Sequence, residues 1–200
     1  MKTLLQVALL IFMMNFGIAQ QIKKAFVNFN DLESLMTEVK PHREKRLINL
    51  NEFSKKSLEK NTVILDTRSK EMYNKKHVKG AININFSDFT QDVLDDFFQQ
   101  YAGKNTQILI YCNNNFEDKL AGNLQDVYFI SKVVKPDFPI KEKVQHEKPK
   151  TLALNIPTYL NLYGYGYKNV FELNELVDVN DERIAFEGTD SKAKIAYGIK

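Results

Sequence analysis

Two runs, Thr62-Val63-Ile64-Leu65 and Ile108-Leu109-Ile110-Tyr111-Cys112, are compact, β-branched and without period-two alternation. Such runs fit strands buried on both faces, the mark of a parallel sheet. Parallel neighbours need a crossover, usually a helix, between them. Helical stretches do alternate with the strand-like ones here. Leu32, Leu35, Met36 and Val39 fall at helical spacing between Asn30 or Asp31 as cap and Pro41 as stop. After a short apolar piece, Leu47-Ile48, Asn51 can cap a second helix through Phe53 to Leu58. Gly80-Ala81-Ile82-Asn83-Ile84 is a weaker strand. Ser87 or Asp88 then opens a helix whose apolar face is Phe89, Val93, Phe97 and Phe98, with Gly103 closing the connection. Leu152 to Leu162 reads as a helix that can begin near Asn155 and ends at Gly164 and Gly166. Asn169-Val170-Phe171-Glu172-Leu173 is the last strand. The alternation predicts an α/β domain, a parallel sheet with helices on both faces.

Two hundred residues suffice for one domain with a substantial core. With 44% hydrophobic and 26% charged residues the composition is that of a globular chain. A net charge of only +3 gives no reason to expect nucleic acid or an anionic membrane as partner. Lys2, the apolar stretch Leu4 to Met14, and the small residues Gly17 and Ala19 read as a secretory signal peptide cleaved after Ala19. The run is shorter than the ~20 residues a membrane anchor needs. The protein is therefore expected to be exported, periplasmic or secreted, without stable membrane insertion once the signal is removed. The expected organisation is 1–19 signal peptide, 20–46 N-terminal helical extension, 47–177 main domain and 178–200 C-terminal extension. The stretch from about 126 to 150, with three prolines and six lysines from Lys132 onward, reads as a surface insertion, a lid being one use.

Chemistry in an open parallel sheet collects at the carboxyl ends of strands. Asp66 closes one buried strand and Cys112, the single cysteine, closes another. A cysteine there, ahead of a helix, can have its thiolate stabilised by main-chain N–H groups and act as a nucleophile. It can equally be a small apolar residue finishing a core strand. Asp66 can simply cap the segment after Leu65, Arg68 can pair with it, and His77 reads as a positioning residue in a connection. His42 and His146 show no metal-ligand spacing, so no metal site is expected.

Four segments then coincide in order. Val63-Ile64-Leu65-Asp66-Thr67-Arg68 resembles the strand and Asp-x-Arg signature of rhodanese domains. His77-Val78-Lys79-Gly80-Ala81-Ile82-Asn83-Ile84 is similar to that family's His-Ile-x-Gly-Ala-x-Asn-Ile box, and Ile108 to Cys112 to the strand delivering its active cysteine. Gly166-Tyr167-Lys168-Asn169-Val170-Phe171-Glu172-Leu173 is similar to its closing strand. The resemblance spans about Leu47 to Leu176. It implies a five-stranded parallel sheet and a sulfurtransferase in which Cys112 accepts sulfane sulfur as a persulfide and passes it to an acceptor. It further implies a cradle formed by Asn113, Asn114, Asn115, Phe116, Glu117, Asp118 and Lys119, with Asp66, Arg68 and His77 in support and no cofactor. The partners would be a small sulfur donor and a thiol acceptor, a protein thiol included. This use of Cys112 calls for a sulfur open to solvent.

The chain departs from the family where members usually carry an arginine directly after the cysteine, then a glycine and a further cation: Asn113, Asn114 and Asn115 follow Cys112, and the next two ionisable residues are Glu117 and Asp118. Thiosulfate, a dianion, is a poor fit to such a loop. The phosphatases on this fold need arginine six positions after the cysteine, where Asp118 stands and would repel phosphate. A non-catalytic binding module remains as the alternative, with the Tyr159–Tyr167 segment and the insertion as its contact surface. A redox partner forming mixed disulfides would need a second protein to resolve them.

Overall fold

The computed structural model describes residues 28–117 and 154–191. The signal peptide, Asp118, Lys119, the 126–150 insertion and the last nine residues lie outside the described residues. Residues Met1–Glu33 form one unit and Ser34–Lys200 another. Of the first unit, the described part is the start of the helix α1 (Phe29–Glu44).

Five strands make one parallel sheet in the order β1 (Leu47–Ile48), β7 (Val170–Leu173), β5 (Gln107–Ile110), β2 (Thr62–Asp66) and β4 (Ile82–Asn83). This is the predicted α/β architecture. β2 and β5 pair over Thr62–Leu65 and Gln107–Ile110 at the centre, which is why their sequences are apolar on both faces. Val63, Leu65, Ile108, Ile110 and Val170 pack on one face with Val39 of α1, Leu94 and Phe98 of α4 (Gln91–Phe98) and Tyr159 and Leu162 of α5 (Asn155–Gly164). Ile64, Leu109, Tyr111 and Leu173 take the other face with Leu50 and Phe53 of α2 (Leu50–Ser57). Tyr73 of α3 (Lys70–Lys75) packs on that face as well. Alternate residues of one strand thus feed two cores. Cys112 continues the parity of Ile108 and Ile110, toward the α5 face.

Two pairs of minimal strands lie outside the main sheet: β3 (His77–Val78) runs antiparallel to β9 (Phe186–Glu187), and β6 (Phe116–Glu117) parallel to β8 (Val177–Asp178). Val179 is buried and Phe186 packs against the second core, so part of the stretch after Val177 belongs to the folded body.

Several local expectations are corrected. Pro41 sits inside α1, which runs on to Glu44. Proline within a helix costs a hydrogen bond and ~3 kcal/mol. The turn beyond it is anchored by Arg43, whose Nε and Nη2 hold both carboxylate oxygens of buried Glu172 at 2.5 Å, and by His42 Nδ1, 2.9 Å from the Tyr159 hydroxyl. The cap of α2 is Asn49, which accepts from Glu52 N at 2.9 Å, and not Asn51. A 3-10 turn, Phe86–Asp88, precedes α4, and Thr90 caps that helix by accepting from Val93 N. Starting the helix three residues later rotates its buried face: Leu94 is fully buried while Val93 is 42% exposed.

Candidate functional site

β5 ends at Ile110, and Tyr111 and Cys112 carry the chain past the sheet edge. Cys112 is 3% exposed, so the sulfur is covered and not open to solvent. The start of the crossover helix lies against it. The Leu154 main-chain N–H, at the amino terminus of α5, donates to Cys112 Sγ at 3.3 Å. In a parallel sheet the crossover helix starts where the preceding strand ends, so this contact follows from topology. Burial raises the thiol pKa. The N–H groups of Leu154 and Asn113 and the charge of Arg68 act the other way, and the charge of Asp66 adds to the rise.

Asn113–Asn115 form a 3-10 turn directly after Cys112. Asn113 Oδ1 accepts from Arg68 Nη1 at 3.3 Å. Asn115 is buried; its Oδ1 accepts from Cys112 N at 2.9 Å and from Asn155 Nδ2 at 3.3 Å. Its Nδ2 donates to Leu173 O at 2.7 Å and Glu175 O at 3.3 Å. Asn114 Oδ1 and Asn155 Oδ1 are buried without a hydrogen-bond partner. Phe116 and Glu117 then leave as β6, with Phe116 edge-on to Tyr111 and Phe186 in the second core. The last two residues of the expected cradle, Asp118 and Lys119, lie outside the described residues.

Asp66 is fully buried at the end of β2. Its carboxylate accepts from Arg68 N, Nε and Nη2 and, at 2.5 Å, from the Tyr111 hydroxyl; that hydroxyl in turn accepts from Val78 N. Arg68 Nη2 also donates to Lys76 O, and Asn83 Nδ2 donates to the carbonyls of Asp66 and Arg68. Thr67 and Thr158 hydroxyls meet at 3.0 Å, bracing this loop against α5. The loop after β2, the turn after Cys112 and the start of α5 therefore converge. His77 stacks on Tyr73 at 3.8 Å between ring centroids and donates from Nδ1 to Tyr73 O; its Nε2 lies 3.8 Å from Glu187 Oε2. Its contacts tie β3 to α3 and β9.

Cys112, Asp66 and Arg68, all expected from the sequence, are brought together by the fold. Leu154 and Asn155, which complete the constellation, are not among the expected site residues. The signal that could have found them is the helix start near Asn155: the amino terminus of a crossover helix belongs at the preceding strand's carboxyl end. Among the described residues no cluster of His, Cys, Asp and Glu could hold a metal ion, and no helix is long and apolar enough to cross a membrane.

No curated protein matches the chain. The model of the family described as "Rhodanese-like domain" matches residues 49–175, well over half of the length. With its five-stranded parallel sheet and the cysteine beyond the central strand, the chain belongs to the rhodanese-like domain family.

Proposed function

We propose that this protein is an exported carrier of sulfane sulfur, loaded as a persulfide on Cys112 and discharged to a thiol. The observation that carries the reading is the Leu154 N–H on Cys112 Sγ at the start of a ten-residue helix. Main-chain N–H groups and the helix dipole favour an anionic sulfur there over a neutral one. Arg68 adds a positive charge nearby, although its guanidinium is largely committed to Asp66.

In the first step the Cys112 thiolate attacks the outer sulfur of a donor R–S–SH. The donor S–S bond breaks, R–S⁻ leaves with the bonding pair, and Cys112–S–SH remains. In the second, an acceptor thiolate takes that outer sulfur and returns Cys112 as thiolate. No oxidant is consumed. The covered sulfur is a resting arrangement, so loading requires the start of α5 to part from the strand end. Thiosulfate is a poor donor because its double charge meets the asparagine turn and the Asp66–Arg68 pair in place of free arginines.

The 3% exposure of Cys112 favours a second reading, a rhodanese-fold binding module without catalysis. The two separate on transfer to glutathione from a hydropolysulfide donor. The carrier generates glutathione persulfide catalytically, and Cys112→Ser abolishes this. If wild type and Cys112→Ser give the same rate as buffer, the carrier reading fails. Export is tested by the amino terminus of the protein recovered outside the cytoplasm, expected at Gln20.

A further inference from the structure

We propose that Asn115 is the positioning residue of Cys112: its carboxamide fastens the amino terminus of α5 over the sulfur. The residue occupies all four of its strong hydrogen-bonding capacities. Oδ1 accepts from Cys112 N and from Asn155 Nδ2, and Nδ2 donates to Leu173 O and Glu175 O. Two carbonyl partners on one side and an N–H partner on the other fix which carboxamide atom is which. The side chain is 5% exposed, and three of the four bonds, to Cys112, Leu173 and Asn155, are buried, where losing them is costly.

The four bonds join three elements. Cys112 continues the central strand β5, Leu173 ends the neighbouring strand β7, and Asn155 begins α5. Leu154, whose N–H reaches Cys112 Sγ, directly precedes Asn155. The Asn115 carboxamide thus sets where that N–H stands relative to the sulfur through its bonds to the main chain and to Asn155.

This inference rests on Cys112 being the reactive sulfur, and its test can fail separately. The charged groups acting on the sulfur, Arg68 and Asp66, are left in place by both variants below. The rate of Cys112 alkylation by iodoacetamide is followed against pH in wild type, Asn115→Ala and Asn155→Ala. Releasing the start of α5 removes the Leu154 N–H but also uncovers the sulfur, and burial is the larger influence, so both variants should shift the midpoint downward, by about 0.5–1 unit, and alkylate faster. Asn155→Ala removes only the tie to α5 and leaves the Cys112, Leu173 and Glu175 bonds, so it tests the proposal even if Asn115→Ala does not fold. A purely structural Asn115 would lower thermal stability and leave the midpoints unchanged; unchanged or raised midpoints in a folded variant overturn the proposal. If wild-type Cys112 does not react at any pH at which the protein stays folded, the carrier reading fails first and this inference falls with it.

Discussion

Leu154 and Cys112 stand 42 positions apart in the chain, yet the main-chain N–H of one meets the sulfur of the other at 3.3 Å. The contact links the end of the central strand to the start of its own crossover helix. Two opposed influences meet on the sulfur: burial, which disfavours the thiolate, and the N–H groups of Leu154 and Asn113, which favour it. The larger of the two is burial.

Asp66→Asn should be severely destabilising. The buried carboxylate holds Arg68 through three donors and also takes the Tyr111 hydroxyl, itself held far above its ordinary pKa by burial. Removing the charge leaves a buried guanidinium without its counter-ion, a loss of about 3–5 kcal/mol. Urea unfolding measures it, and a loss under about 1 kcal/mol would mean that Arg68 finds another partner.

The α4 face gives a paired test. Leu94→Ala empties a fully buried position against β2 and β5 and should cost about 2–5 kcal/mol. Val93→Ala, on the exposed side, should stay within about 0.5 kcal/mol. Equal losses would contradict the rotation of this helix.

Stability should fall on mild acidification because of His42. Burial, with Arg46, Lys168 and Lys45 nearby, lowers its folded pKa below the ordinary 6.5, and Glu38 opposes this in part. The unfolded chain then binds the proton more readily. Stability is fully present above pH 6.5 and is lost as pH falls from there through the lowered folded value. His42→Gln should flatten the thermal midpoint across that window; an unchanged slope would assign the dependence elsewhere.

Gly188 has φ +124°, and a Cβ there would lie 2.4 Å from Lys75 O. Gly188→Ala should therefore push the 186–190 segment off α3, lowering thermal stability and loosening β3–β9. Exchange protection of Lys79 N–H, which donates to Ala185 O, reports it. Unchanged protection would contradict the packing.

The central strands are legible in the sequence because both of their faces are buried and both are apolar. The strand-end positions of Asp66 and Cys112 come from the same runs. The face of α4 is not, because Phe89 belongs to the turn before the helix, and a single aromatic shifts the apparent period. Pro41 reads as a stop, although Arg43 and His42 beyond it make contacts that outweigh one lost hydrogen bond. The pairs β3–β9 and β6–β8 are two residues long and carry no period at all. The Leu154 N–H on Cys112 is a tertiary contact from a residue far along the chain, which no local pattern around the cysteine encodes. Asn115 is similar: three consecutive asparagines signal a turn, but only the fold shows that the third one bridges three elements.

Sulfur loading on Cys112 is read most simply from the intact mass of the folded protein after exposure to a hydropolysulfide donor. A gain of about 32 Da, one sulfur atom, is expected on the peptide containing Cys112, reversed by a thiol and absent in Cys112→Ser. A folded wild-type protein whose mass does not change, while the same protein in denaturant takes up sulfur, would show that the sulfur is sealed in the native state and would contradict the carrier reading.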